Sequence, residues 1–119
     1  ARMATYTLQD VKNISEKRLK KYFTKKENSF HVNKIIRDMC VFAVHDLTKD
    51  APFSKIDFVS CRNVLIYFDK GLQHKVFNLF DSSIEKLGYL ALGSKESLEF
   101  WPKAREYKRV KMEKIWRKL

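Results

Sequence analysis

The chain has 119 residues, 45% of them hydrophobic, and a formal charge of +11. That length suits one domain or part of one, and that composition suits a globular chain that buries a core. No apolar run reaches membrane-spanning length and no signal peptide is visible; the chain begins at Ala1 rather than methionine and is expected to continue upstream.

Charge is unevenly placed. Residues 1–50 carry 11 Lys/Arg against 6 Asp/Glu, residues 51–100 carry 6 of each, and residues 101–119 carry 8 against 2. Basic ends around a neutral apolar middle favour an acidic partner, or are a set of solvated lysines.

Ala1–Phe23 reads as helical in two pieces. Thr7 can cap a turn carrying Leu8 and Val11. Ser15 is a good N-cap for a helix over 16–23, with Leu19, Tyr22 and Phe23 facing inward. Thr24–Ser29 reads as a polar loop. Phe30–Met39 alternates only in part and suits a strand or hairpin arm. Cys40–Val44 (CVFAV) reads as a short buried strand, with His45-Asp46-Leu47 at its carboxyl end. Asp50-Ala51-Pro52 and Ser54 mark a loop.

The most informative stretch is Ile56–Asp69, IDFVSCRNVLIYFD. An apolar run stops at Ser60-Cys61-Arg62-Asn63 and resumes through Phe68. The first run suits a buried parallel strand, and ligands of open α/β sheets bind at strand carboxyl ends. Ser60–Asn63 is therefore either a strand tip facing a ligand or a capped turn. Asp69 is a candidate N-cap. Leu72, Val76, Leu79, Phe80, Ile84 and Leu87 then recur at helical spacing, and Gly88 reads as a left-handed cap closing that helix. Tyr89–Leu92 reads as a buried strand, which completes a right-handed βαβ unit. Tyr107–Leu119 suits either two strands or a basic amphipathic helix.

Cys40 and Cys61 have neither CxxC nor zinc spacing and read as two buried thiols in a reducing cytosol. His31, His45 and His74 show no ligand spacing, so no metal is expected, and Trp101 and Trp116 read as packing residues. Three glycines, none paired as GxG, leave no cofactor-cradling turn of the dinucleotide type.

Ser60–Asp69 (SCRNVLIYFD), Lys34–Met39 (KIIRDM) and Leu92–Leu98 (LGSKESL) together resemble the CheR-type chemotaxis methyltransferases. The resemblance implies an α/β fold, the Rossmann-like class I methyltransferase, of which this chain holds the back half of the sheet and the terminal antiparallel strand pair. Residues 1–39 then correspond to a helical lead-in and the small β-subdomain, and residues 40–119 to the catalytic sheet. It implies S-adenosylmethionine as cofactor and, as substrate, glutamate side chains on the cytoplasmic part of chemoreceptors. Asp46 and Leu47 resemble the pair lining the adenine, although the family often has Asn where Asp46 stands; a turn-forming Asx role suits Asp46 equally. Arg62 and Asn63 resemble the strand-tip residues of the cofactor pocket, or serve an ion pair and a turn. Tyr67 resembles the active-site tyrosine beside the substrate carboxylate; by its apolar neighbours alone it reads as core. The loop before Phe30 is short and lacks the longer, glycine-containing segment with which some members grip a receptor's tethering peptide.

The resemblance implies a glycine turn after the first strand and an acidic end to the second; neither is found here, and both are expected upstream of Ala1. The fragment is therefore expected to be inactive alone. In the family's sheet order the IDFVS strand would have an exposed edge, which favours a dimer or a swapped segment. A basic binding module for nucleic acid or an acidic protein segment is the alternative, although no helix-turn-helix, zinc or RNA-recognition motif is evident.

Overall fold

The computed structural model describes residues 1–119, which form two compact units, Ala1–Val44 and His45–Leu119. The first contains β1 (Thr5–Thr7), α1 (Glu16–Tyr22), β2 (Phe23–Lys26), β3 (Ser29–Val32) and α2 (Lys34–Asp38). Ser15 caps α1 by accepting a hydrogen bond from the Arg18 amide, with Glu16 in the first turn and Lys20 and Lys21 in the last, each of favourable sign for the helix dipole. The strands form an antiparallel sheet in the order β1-β3-β2. Ala4, Val11 and Phe30 are buried, and the rings of Tyr6 and Phe23 meet edge to face at 6.4 Å.

Several expectations for this unit need correction. Ala1–Phe23 is not helical in two pieces: Thr5–Thr7 is strand β1, paired with β3, and Phe23 already opens β2, so only Glu16–Tyr22 is helix. Residues 24–29 are not simply a loop: Thr24–Lys26 belongs to β2, and Lys26 and Ser29 pair across a tight hairpin whose Glu27 is left-handed (φ 52°). The polar side chains of β2 hide its strand character, because cross-strand pairing with the buried Phe30 does not depend on them. The segment from Phe30 onward is divided, strand to Val32 and helix from Lys34.

Cys40–Val44 is not a strand. It pairs with no other segment, Val41 and Val44 are 94% and 101% exposed, and the Cys40 thiol is exposed rather than buried. An extended apolar run becomes a strand only when a neighbour takes up its backbone donors and acceptors.

The second unit contains β4 (Ile56–Cys61), α3 (Lys70–Ser83), β5 (Ile84–Leu92), β6 (Tyr107–Arg109) and β7 (Ile115–Lys118). The sheet order is β4-β5-β7-β6, with β4 parallel to β5 and the remaining pairs antiparallel. β4, α3 and β5 thus form a parallel βαβ unit with β4 on the sheet edge. The C-terminal segment is a strand pair, not a helix. Val76, Phe77 and Phe80 of α3 join Leu90, Leu92, Trp101, Tyr107 and Trp116 in one buried cluster.

Asp69 caps α3, accepting from the Leu72 amide at 2.8 Å. The helix ends at Ser83, earlier than its apolar spacing suggests, because Ile84 already pairs with Ile56 of β4. Gly88 is therefore no helix cap. It lies within β5, where a Cβ would stand 2.9 Å from the Asp57 carbonyl oxygen and 2.7 Å from the Ile84 side chain. The left-handed residue is Leu87 (φ 70°), next to a register shift between the two strands. At the other end of the sheet, Asp81 of α3 accepts from the Tyr107 hydroxyl and pairs with Lys103 and Lys118 at 3.0 and 3.1 Å, tying the helix to β6 and β7.

Candidate functional site

The carboxyl ends of the two parallel strands lie side by side, with Cys61 opposite Leu92. Beyond β4 the chain turns through Arg62 and Asn63, Asn63 in the left-handed region (φ 60°), into a single 3-10 turn, Leu65–Tyr67. Asparagine tolerates that conformation better than most residues, because its short amide can bond locally. Beyond β5 comes Gly93. A Cβ there would stand 2.7 Å from Glu96 Oε1 and 2.9 Å from the Asn63 nitrogen, and closer still to Asn63 Oδ1. Only glycine lets the two strand ends approach this closely.

Glu96 closes the arrangement. Its side chain is buried, the residue being 5% exposed. Oε1 accepts from the Gly93 and Asn63 amides at 2.7 and 2.8 Å, and Oε2 from the Val64 and Leu65 amides at 3.1 and 2.7 Å. Burial alone would push its carboxyl up, but these amides outweigh it and hold the group below its ordinary value. Gln73, in the first part of α3, donates through Nε2 to the Leu65 and Phe68 carbonyls at 2.8 and 3.0 Å, fixing the far side of the turn. Cys61 is buried behind the tip; burial, reinforced by the Glu96 charge, pushes its thiol up to about 11, so it stays protonated.

The five residues singled out from the sequence fall in three places. Arg62 and Asn63 form the exposed lip at the end of β4. Leu47, half-buried, shares with Arg62 the lining of an apolar groove of about 490 Å³ that also involves Phe53, Phe58, Val59 and Phe80. That groove follows β4 along its whole length, so it is a seat beside a sheet edge rather than a closed pocket. Asp46 turns into its own loop: its carboxylate accepts from the Thr48 hydroxyl and amide at 2.6 and 2.8 Å, bonds that lower its pKa. This is the Asx-turn geometry. Tyr67 is 81% exposed on the 3-10 turn, which corrects its reading as a core residue and leaves its hydroxyl free.

Glu96 is the site residue that the sequence reading passed over. Its signal was the three-residue step from Gly93, the spacing at which a Glu reaches back to the backbone amide opening a turn. The histidines engage in packing or hydrogen bonding: His31 contacts Thr5 and Ser29, His45 lies 4.4 Å from the Phe53 ring, and His74 stacks on Phe100 at 5.6 Å.

The family model described as "CheR methyltransferase, SAM binding domain" matches residues 1–115. A Pseudomonas putida protein named "Putative methyltransferase Cher3" is 35% identical over 99% of this chain and 46% of its own length. A "Chemotaxis protein methyltransferase" of Borreliella burgdorferi is 33% identical over 82% of this chain and 36% of its own. "Chemotaxis protein methyltransferase 1" of Pseudomonas aeruginosa is 35% identical over 81% and 36%. The chain thus spans less than half the length of these relatives. Matched from end to nearly end by that model, with the SCRNVLIYFD block at the carboxyl end of a parallel edge strand, the chain belongs to the CheR methyltransferase family, SAM-binding domain.

Proposed function

We propose that this chain is the back half of the catalytic domain of an S-adenosylmethionine-dependent protein-glutamate methyltransferase acting on chemoreceptors. The observation that carries the reading is the lip Arg62–Asn63, set at the carboxyl end of parallel strand β4 and pressed against Gly93 at the end of β5. Strand ends of this kind are where open α/β sheets bind ligands. The partial Rossmann-like fold is supported by the βαβ unit and the β6–β7 pair. Residues 1–39 read as the small β-subdomain with its helical lead-in, supported by the β1-β3-β2 sheet.

The residues fit one side of such a cofactor. Leu47 offers an apolar wall next to Arg62, which suits an adenine ring, while Arg62 and Asn63 present exposed polar side chains to the ribose or the amino-acid end. Asp46 fits less well, since its carboxylate is engaged by Thr48; its part is to fix the turn that carries Leu47. When bound, the cofactor supplies a methyl group on a sulfonium sulfur. A substrate glutamate is already ionised at neutral pH, so no residue of this chain has to take up a proton. What remains is alignment and exclusion of water. Tyr67, with its free hydroxyl, is the residue assigned to orient the substrate carboxylate. The basic ends of the chain suit a glutamate-rich receptor surface. No helix is long and apolar enough to cross a membrane.

Two measurements test this. Calorimetry is expected to show no S-adenosylmethionine binding by the 119-residue chain. A chimera joining the unmatched part of the Pseudomonas putida relative ahead of Ala1 is expected to bind it and to methylate receptor glutamates. Micromolar binding by the chain alone would mean that the pocket has been misplaced, and an inert but folded chimera would sink the reading.

A separate expectation concerns β4, which ends the sheet order and lines the apolar groove. An unpaired edge beside exposed Phe58 seats another strand, and in this chain that strand comes from a second copy. Sedimentation is expected to show a concentration-dependent dimer that Phe58→Lys returns to monomer. A wild-type monomer at every concentration would remove the proposal.

A further inference from the structure

We propose that Glu96 is a positioning residue for the cofactor lip: through backbone amides at both strand ends, its carboxylate sets the conformation in which Arg62 and Asn63 are presented. The inference rests on the functional reading above, but its geometry stands apart from it. Glu96 lies 33 residues after Asn63 and three after Gly93, so one side chain joins the end of β4 to the end of β5. Each carboxylate oxygen takes two amides, which leaves Asn63, Val64, Leu65 and Gly93 without free donors.

Glu96 does this without a cation. None of the chain's ion pairs includes it, and Lys114 donates to the Glu96 backbone carbonyl at 2.9 Å rather than to its carboxylate. An ionised carboxylate in a buried setting is costly unless it is hydrogen-bonded, and here a nest of backbone dipoles takes the place of a counter-ion. A neutral residue of similar size could fill the same volume. It could not accept four amides converging from two strands, three of them in the lip that includes left-handed Asn63. Gly93 completes the device, since any side chain there would push the lip off the carboxylate.

A contribution to stability alone and a positioning role predict different patterns of amide exchange in the 119-residue chain. With Glu96→Gln, which keeps one acceptor oxygen and turns the other into a donor, at least two of the Asn63, Val64, Leu65 and Gly93 amides are expected to exchange roughly tenfold faster. That is the equivalent of one charge-assisted hydrogen bond. The α3 amides from Val76 to Phe80 are expected to keep their wild-type rates. Uniform acceleration across α3 and the lip, or no change at the lip, overturns the proposal. Should the variant not fold, the wild-type protein supplies the measurement: the four amide resonances are expected to titrate together with one midpoint. Separate midpoints, or none, overturn it equally. In the chimera, Glu96→Gln is expected to raise KM for S-adenosylmethionine roughly tenfold with kcat nearly unchanged; a fall in kcat alone counts against positioning. A chimera with no methyl transfer at all counts against the functional reading, and the amide pattern then decides the role of Glu96 independently.

Discussion

Phe77→Ala is expected to destabilise the His45–Leu119 unit by about 3–5 kcal/mol, the cost of emptying a fully buried aromatic site. Phe77 is 1% exposed in the middle of α3, with its ring 5.7 Å from that of Trp101 and 6.1 Å from that of Phe100. Those two rings follow β5 on the way to β6, so Phe77 is the point at which the helix grips the connection as well as the sheet. Domains of ordinary stability have about 5–15 kcal/mol in all. The variant should therefore melt upwards of about 10 °C lower. Leu87→Gly is the informative contrast. Leu87 is half-exposed and left-handed, so its side chain contributes little burial and its backbone carries strain that glycine relieves. Its midpoint is expected within about 1 kcal/mol of wild type. Chemical denaturation of both variants decides the matter. Equal losses would mean that α3 ends where apolar spacing alone would place it, beyond Leu87, and not at Ser83.

That contrast shows what the sequence made legible. Local signals were read correctly: Ser15 and Asp69 as caps, α3 from its repeating apolar positions, and β4 ending at a polar tip. These depend on neighbours a few residues away, and the chemistry of an N-cap is visible in one side chain. Reading failed where the answer lay in a distant partner. Cys40–Val44 has a strand's composition but no strand beside it. Gly88 has a helix cap's residue type, but its small size serves a close approach to Asp57 of β4. Ile84 has helical spacing but pairs with Ile56, 28 residues earlier. Tyr67 sits among apolar neighbours and looked buried, yet the 3-10 turn held by Gln73 aims it outward. Arg62 and Asn63 interrupt an apolar run, and that interruption marks the end of β4 in the sequence. Glu96 was not legible, because a charged residue between Lys95 and Ser97 looks solvated until its four amide partners are brought to it by the sheet.

Stability is expected to fall steeply in acid, through Glu96 and Asp81 together. Both carboxyls are pushed up by burial and held down more strongly by hydrogen bonds, from backbone amides at Glu96 and from Lys103, Lys118 and Tyr107 at Asp81. Their folded values thus lie below their unfolded ones, which are about 4. For a group shifted in that direction, the unfolded chain binds protons first as pH falls. The stabilisation is fully present above the unfolded value and is lost as pH drops through the folded one. The denaturation midpoint should therefore be level from neutral pH down to about pH 5 and decline below about pH 4. The double variant Asp81→Asn, Glu96→Gln should start lower at neutral pH and show a flatter acid limb. The two sites sit at opposite ends of the structure they hold: Asp81 ties α3 to the β6–β7 pair, and Glu96 ties the end of β4 to that of β5. Their losses should accordingly add in the single variants. A decline that begins well above pH 5, or an acid limb as steep in the double variant as in wild type, would assign the acid sensitivity to other groups and leave the buried carboxylate at the strand tips without the energetic weight given to it here.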